Sequence, residues 1–254
     1  DAAAAWFEGR LEARADLLPA AALHALRGSD PERAIRLGLL AGARAERLFA
    51  YDQAARSYEG VLEFLDLAER TGEKAAVRER LGDVHFRAGN WRRALAAYHF
   101  LLKELGARPD ANDPAVRRQA ALLTFKIGMI RLRRDDVEAA RALFDRAEGE
   151  LGSVGTTEER ARLLDASARA RLERGDVDGA EVKALAALEL AGPELPDDLR
   201  SLLLGTLGSV AFLRGDVAAA EARLESALEA ARRSERNDLV RRALSSLADR
   251  KSVV

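Results

Sequence analysis

Hydrophobic residues recur along this chain at steps of three and four, the period of amphipathic helices. The pattern predicts twelve helical segments, spanning about 10–27, 31–49, 52–69, 73–88, 90–105, 114–134, 136–151, 157–174, 176–191, 197–214, 216–233 and 236–251. Pro19 interrupts the first segment. Helix-start signals precede others: Asp30 and Asp113 each stand before a proline, and Thr156 with Glu159 forms a capping box.

Small residues recur at a nearly fixed interval, and each is followed twelve positions later by an alanine. The small residues are Gly42, Gly82, Gly128, Ala168 and Gly208, and the alanines are Ala54, Ala94, Ala140, Ala180 and Ala220. Successive copies are 40, 46, 40 and 40 residues apart, and the polar, proline-containing loop 106–114 accounts for the longer interval. This self-similarity predicts an array of helical repeats.

Each copy contains a turn between two helices. Gly89, Gly175 and Gly215 should take the left-handed backbone there, and the next residues, Asn90, Asp136, Asp176 and Asp216, should cap the following helix. We expect the residue after each cap to plug the turn: Tyr51, Trp91, Val137, Val177 and Val217. Four positions after each alanine come the predicted buried residues Tyr58, Tyr98, Phe144, Ala184 and Leu224, of which Ala184 fills its copy least.

The spacing divides the chain into an N-terminal helical cap or linker (1–30), repeats (31–233) and a C-terminal segment (234–254). The repeats span about 31–70, 73–105, 113–151, 157–191 and 197–233. The last segment is either a capping helix or the start of a sixth repeat, and we expect the sequence to be a piece of a longer protein.

Composition and motifs narrow the function classes. The net charge is −1 with both signs interspersed, which argues against a nucleic-acid surface. No run is apolar enough for a membrane span, and the absence of cysteine fits the cytoplasm. Phosphate-binding loops, dinucleotide fingerprints and kinase signatures are missing, and the three histidines lack metal-ligand spacing. We therefore predict no enzyme, no cofactor and no metal site.

The small residue, the Gly-Asp turn, the alanine and the aromatic residue four positions later resemble the tetratricopeptide repeat (TPR). HEAT and armadillo repeats match the period by length but lack this spacing around the turn. The resemblance covers roughly 31–254 and implies an all-α solenoid, a right-handed superhelix of antiparallel helix pairs. Departures are Ala168 for the helix glycine, Asp135 for the turn glycine, and Phe49-Ala50 for the first Gly-Asp turn. Residues 28–59 also resemble the start of long-period arrays in bacterial signalling proteins, which implies a multidomain regulator as parent.

By this resemblance, the first helix of each repeat lines a concave groove that binds a peptide or a partner helix. The groove candidates are Glu79, Asp83, Phe86, Phe125, Met129, Arg133, Asp165, Arg169 and Phe212. The lysine and asparagine clamp of chaperone-binding members is missing from the corresponding positions. Phe125 and Met129 are either groove residues or buried between helices. Trp6 and Phe7 either cover the first helix or face another domain.

Two functions follow as hypotheses. The first is a protein-interaction scaffold, the regulatory region of a larger bacterial signalling protein, which binds a protein or peptide partner or domains of its own parent chain. The alternative is a sensor of a small-molecule inducer that controls an attached NTPase, kinase or transcription-activator module. A stand-alone enzyme has no supporting residue.

Overall fold

The computed structural model describes residues 2–8, 10, 14–67, 70–192 and 195–251, and these are helical with no β-strand among them. No helix within these ranges is long and apolar enough to cross a membrane. The chain forms two compact units, here called the N-terminal unit (residues 1–108) and the C-terminal unit (residues 109–254). All-α helix pairs build both units.

The described residues of the N-terminal unit form six helices and one short 3-10 turn. They are α1 (Ala2–Glu8), the 3-10 turn (Ala15–Leu17), α2 (Leu18–Ala25), α3 (Pro31–Arg47), α4 (Tyr51–Leu67), α5 (Thr71–Arg87) and α6 (Trp91–Gly106). Helix α2 starts beside Pro19, the predicted interruption. Phe7 packs on the alanine-rich cluster of α2 and α3 and stacks on His24 with 5.4 Å between ring centroids, whereas Trp6 stays half exposed. Phe7 thus covers the first helices.

In the C-terminal unit, the part of the chain that the structure describes forms seven helices. They are α7 (Pro114–Arg133), α8 (Val137–Val154), α9 (Thr157–Glu173), α10 (Val177–Ala191), α11 (Asp197–Leu213), α12 (Val217–Arg233) and α13 (Asn237–Lys251). Odd-numbered helices from α3 onward are the first helices of pairs, and α4, α6, α8, α10 and α12 are the second helices. Tight turns reverse the chain within each pair, so its helices pack against each other.

The predicted turn geometry is present in every copy. Gly89, Gly175 and Gly215 have φ between 76° and 80°, a region that favours glycine because it has no Cβ. Asp135 and Phe49 take the same left-handed geometry with φ of 63° and 58°, although their side chains make it less favourable. The turn is therefore kept even where the glycine is replaced.

The capping predictions are confirmed at some turns and wrong at others. The side chains of Asp30, Asp176 and Asp216 accept backbone N–H groups of the next helix, and Thr156 and Glu159 form the capping box. Asn90 and Asp136 make no such capping bond. The Asp136 carboxylate accepts a hydrogen bond from the Arg131 guanidinium at 3.3 Å, and Asp176 accepts the equivalent bond from Arg171 while it also caps its helix.

The prediction that Val217 plugs its turn is also wrong. Its side chain is 45% exposed, whereas Tyr51, Trp91, Val137 and Val177 are partly buried. Trp91 packs edge-on against Phe86, with 5.6 Å between the ring centroids. A valine at this position therefore covers the turn only where neighbouring side chains reach it.

Each helix glycine makes room for the large side chain that lies opposite. A Cβ on Gly42 would come within 2.4 Å of the Tyr58 ring, and one on Gly82 within 2.6 Å of the Tyr98 ring. The same holds for Gly128 against Phe144 at 2.6 Å and for Gly208 against Leu224 at 2.9 Å. The close approach thus joins the small residue to the residue sixteen positions later, four beyond the repeat alanine.

The copy with Ala168 and Ala184 is filled in another way. Leu207 and Val210, both buried on α11, pack into the cluster formed by these two alanines and Ala180. The missing aromatic ring is therefore replaced by aliphatic side chains of the next helix pair. Buried Tyr58, Tyr98, Phe144 and Leu224 fill the other copies from within the same pair.

Ion pairs join successive helix pairs within each unit. Examples are Arg70 with Glu32, Arg87 with Glu46, Arg118 with Glu159, Arg162 with Asp198, Lys183 with Glu148 and Arg214 with Asp178, with N–O distances of 2.5–2.8 Å. Such partly exposed pairs contribute about 0–1 kcal/mol each. These charged side chains therefore have partners within the protein itself.

The first helices of the C-terminal unit lie close together. Helix α9 contacts α7 and α11, and α11 contacts α13. The second helices are spaced more widely, and an open groove lined by Asp145, Glu148, Arg160 and Lys183 separates α8 from α10. We call the surface formed by α7, α9, α11 and α13 the inner face.

Candidate functional site

Three candidates lie on α5 in the N-terminal unit. Glu79, Asp83 and Phe86 are all partly buried. The Asp83 carboxylate accepts a hydrogen bond from the Tyr98 hydroxyl at 2.7 Å, and Glu46 accepts one from Tyr58 at 2.6 Å. Burial raises the pKa of both tyrosines, and the nearby carboxylates raise it further. Asp83 therefore has a structural role, because its carboxylate accepts the hydrogen bond of the buried Tyr98 hydroxyl, and the Tyr98 ring packs against Gly82.

Phe125 and Met129 combine the two roles left open by the sequence. Both are partly buried and pack on the core cluster around Phe144. The Phe125 ring lies 5.8 Å from the Phe144 ring, centroid to centroid. Met129 Sδ lies 3.9 Å from an Arg169 nitrogen on the neighbouring first helix. Phe125 thus extends the core toward the inner face, and Met129 supports a charged side chain there.

Asp165 lies beneath the inner face rather than on it. Its side chain is 2% exposed and accepts a hydrogen bond from the Thr206 hydroxyl at 2.8 Å. The other carboxylate oxygen lies 3.1 Å from Nε of Arg169, one helical turn along α9. A buried carboxylate needs such partners. Asp165 therefore fixes Arg169 against the helix and joins α9 to α11.

The remaining candidates are more accessible. Arg133 is exposed at the end of α7, and Phe212 is partly exposed near the end of α11. Glu173, also exposed, follows Arg169 by one turn. Partial desolvation raises the pKa of Glu173, an effect that Arg169 opposes. On the inner face of the C-terminal unit, Met129 and Arg169 thus lie together above the buried carboxylate of Asp165, and Arg133 and Phe212 are accessible on α7 and α11.

The sequence analysis did not include Arg242 among its candidates. This arginine lies on α13 and lines a small recess with Ser201, Leu202, Gly205, Ser209 and Ser246, backed by Leu224, Ala227, Leu239 and Ala243. Arg242 makes no hydrogen bond or ion pair with a described residue. The sequence analysis took groove positions only from the five repeat copies, and Arg242 lies beyond the last of them.

Ser201 is the other polar group that stands out in this recess. It is 5% exposed, and its hydroxyl has no hydrogen-bond partner among the described residues. Serine hydroxyls in helices commonly bond back to the carbonyl one turn earlier, as those of Ser209 and Ser226 do here. The Ser201 hydroxyl therefore stays available to a group that enters the recess.

Positive charge accumulates around Arg242. Its side chain remains accessible, yet protein atoms surround it on several sides, and this partial burial lowers the pKa of its guanidinium. The charges of Arg169 and Arg133 lower the pKa further, and Asp165 opposes them. Three arginines from α7, α9 and α13 therefore act on the same stretch of the inner face.

The described residues hold no group of three or more His, Asp or Glu side chains arranged for a metal ion. His85, one of the three histidines, is 4% exposed on α5, and its Nδ1 has no hydrogen-bond partner. Burial lowers the pKa of His85, and Arg93 adds to this, while Glu59 and Asp52 oppose it. The neutral ring is therefore the form that the folded protein favours.

Because of His85, we expect the free energy of unfolding to fall as the pH drops below about 6.5, the pKa of a histidine in an unfolded chain. The unfolded chain takes up the proton first, so the stabilisation is full above that pH and is lost as the pH falls toward the lower pKa of the folded protein. Urea unfolding of His85→Gln across this range should show a weaker pH dependence. His99→Gln is the control, because His99 is exposed; an equal effect of both substitutions would contradict the assignment.

No protein-family model and no curated protein matches the chain. Several solved structures do match the chain. Aspartyl phosphate phosphatase F from Bacillus subtilis has a TM-score of 0.70 at 9% identity, over 91% of this chain and 56% of that one. The Rap conjugation gene regulator of plasmid pLS20, in complex with the Phr* peptide, has a TM-score of 0.69 at 15% identity, over 87% and 64%. TTC0263, a thermophilic TPR protein in Thermus thermophilus, has a TM-score of 0.55 at 20% identity, over 85% and 100%.

This chain spans less than two thirds of the first two proteins. All three identities are low, so the likeness concerns the fold alone. The repeated small residue, the left-handed turn and the packed helix pairs are found together in this chain. The protein has the fold of a TPR-type array of α-helical repeats.

Proposed function

We propose that this protein is a protein-interaction scaffold that binds a partner segment on the inner face of its C-terminal unit. One observation carries the proposal. Met129 and Arg169 lie against each other on neighbouring first helices, with 3.9 Å between Sδ and a guanidinium nitrogen. Arg133 and Phe212 are further accessible positions on the first helices α7 and α11. Such a mixed surface of apolar and cationic side chains suits an extended peptide or a helix.

The fold also supports the binding of a partner segment on this face. First helices fixed by glycine contacts and ion pairs present their side chains on rigid elements, which lowers the entropy lost when a partner binds. One of the similar structures is a complex with the Phr* peptide. That fact concerns the other protein and makes a peptide the first ligand class to test.

We further propose that this scaffold has a regulatory role within a larger bacterial signalling protein. It rests on residues 28–59, which resemble the start of arrays in such regulators. Partners can then include domains of the parent chain. The binding test below applies to either source of the partner segment, because both would meet the same surface.

The test is selection of peptides from a random phage-displayed library, followed by affinity measurement on the purified chain. The double substitution Met129→Ala and Phe212→Ala should weaken a selected peptide about tenfold, because it removes the apolar contacts of the inner face. The matched control is Val182→Ala with Leu185→Ala, two side chains of α10 that are 65% and 48% exposed. Failure to select any saturable binder, or an equal loss in both variants, would overturn the proposal.

A further inference from the structure

The groove between the second helices α8 and α10 has the size and lining of a binding site. Its volume is about 560 Å³, within the range of pockets that hold ligands. Leu151 and Leu163 are almost fully buried and Leu164 is partly buried, so these leucines form an apolar bottom. None of the candidate residues of the inner face lines this groove. It is therefore a second surface, separate from the one in the proposed function.

Two glycines of α8 open one wall of the groove. Both are exposed, and no described atom lies within 4 Å of a Cβ built on Gly149 or Gly152. Neither glycine thus makes room for another part of this protein, in contrast to Gly128. Glycine lowers the stability of a helix relative to alanine. Its presence twice on this wall leaves the backbone of α8 open to close approach from outside.

One acidic and one basic side chain of the lining have no partner within the described part of the chain. Glu148 and Lys183, the other two charged residues, pair with each other across the groove with an N–O distance of 2.6 Å. The side chains of Asp145 and Arg160 make no hydrogen bond or ion pair with a described residue. The groove therefore offers one unpaired charge of each sign.

The charges that neighbour these two side chains along their helices are already engaged. Arg141, one turn before Asp145, pairs with an acidic residue of its own helix. Glu158 and Glu159 precede Arg160 and pair with other arginines. Asp145 and Arg160 thus keep their charges for a group that enters the groove.

The two unpaired charges lie toward opposite ends of the groove. Only two residues separate α8 from α9, so Arg160, in the first turn of α9, lies beside the last turn of α8. Asp145 lies on α8 about two turns before that turn, roughly 10 Å along the helix axis. Arg146 follows Asp145 but does not line the groove. A bound segment therefore meets a base at one end and an acid at the other.

We propose that this groove binds an amphipathic helix of a partner protein. An acidic side chain of that helix faces Arg160, a basic one two turns away faces Asp145, and its apolar side chains lie on the leucines at the bottom. Gly149 and Gly152, one turn apart, form a shallow strip that admits the ridge of side chains on such a helix. This interaction goes beyond the proposed function, since it uses a different surface of the same unit.

The probe is a fluorescein-labelled, amidated peptide of alanine and leucine with one glutamate and, two turns later, one lysine. The readout is fluorescence anisotropy with the full chain. Two comparison peptides carry two glutamates or two lysines at these positions, so each sets a like charge against Asp145 or Arg160. We expect the glutamate–lysine peptide to bind at least about tenfold more tightly than either of them. A version with proline in its middle should also bind at least about tenfold more weakly, because proline breaks the helix.

Asp145→Lys should exchange the preference, so that the variant binds the two-glutamate peptide at least about tenfold more tightly than the glutamate–lysine peptide. The matched control is Glu225→Lys, which makes the same change of charge at an exposed residue of α12 that does not line the groove. This control should keep the original preference. Circular dichroism checks that each variant is folded.

Gly149→Leu should fill the groove and weaken binding of the glutamate–lysine peptide at least about tenfold, with the fold retained because the added side chain meets no described atom within 4 Å of its Cβ. Gly106→Leu is the matched control. Gly106 is another exposed helix glycine with no atom within 4 Å of an added Cβ, and it lies at the end of α6, away from the groove lining. It should leave the affinity unchanged.

The inference is wrong if the glutamate–lysine peptide does not bind, if the three peptides bind equally, or if Asp145→Lys and Glu225→Lys act alike. Equal binding of the proline peptide would refute a helical occupant. Self-association of the chain that Gly149→Leu abolishes would assign the groove to a second copy instead. The proposed function is tested separately: Met129→Ala with Phe212→Ala should leave binding of this peptide unchanged, and a loss there would place the peptide on the inner face and overturn the inference.

Discussion

Replacing Phe144 with alanine is expected to lower the free energy of unfolding of the C-terminal unit by about 3–5 kcal/mol. The ring is fully buried and lies against Gly128 of the first helix and beside Phe125. Its removal leaves a cavity between α7 and α8 that the backbone can close only in part. Urea unfolding gives the size of the loss, and hydrogen exchange should locate it in α7 and α8.

Phe100→Ala is the control for this prediction. Phe100 is 44% exposed on α6, where its ring lies 4.0 Å from the Arg78 guanidinium carbon. Loss of this exposed contact should cost about 0.5–1 kcal/mol. Equal losses in the two variants, or loss of protection away from α7 and α8, would contradict the assignment of Phe144 to the pair contact.

The fold was largely predictable because its determinants are local and repeated. The turn at Gly89, the small residue Gly82 and the buried ring Tyr98 belong to one sequence pattern, and the structure brings the three together within one helix pair. The pattern could be recognised as a structural repeat because it recurs along the chain, which a single copy would not have shown. The pattern also identified the turn at Phe49, where no turn residue is present.

Contacts between different helix pairs were not predictable in the same way. Asp165 has the sequence position of a groove residue, and its burial depends on Thr206, which lies 41 residues later. The carboxylates of Asp136 and Asp176 both pair with the arginine five residues earlier, yet only Asp176 caps its helix. Such choices depend on which partner reaches the side chain in three dimensions, and helical periodicity carries no information about that.

For the candidate site, the sequence predicted helix positions but not the contacts that the side chains make. Counting from the small residues placed Met129, Arg133 and Arg169 on neighbouring first helices, as the structure shows. The same counting omitted Arg242 and Ser201, because it depends on complete copies and considered only positions near each small residue. Arg242 and Ser201 meet only in three dimensions, where α11 and α13 bring them to the same recess.

The pair contact can be tested further by changing both of its members. Gly128→Ala alone should cost about 1–3 kcal/mol, because the added Cβ would lie 2.6 Å from the Phe144 ring. In a Phe144→Ala background the same methyl group enters the cavity and should be nearly neutral. One copy of this chain already has alanine at both positions: Ala168 is its small residue, and Ala184 is the residue sixteen positions later. Both are fully buried.

A double-mutant cycle measured by urea unfolding should therefore give a coupling of at least about 1 kcal/mol, with the double variant more stable than the sum of the single losses. Gly149→Ala is the matched control: Gly149 lies on α8 with no atom within 4 Å of its added Cβ. It should add about 0.5–1 kcal/mol of stability in both backgrounds, because alanine favours the helix. If Gly128→Ala and Phe144→Ala were additive, the glycine would serve something other than the ring opposite it, and the rule that joins each small residue to the residue sixteen positions later would fail.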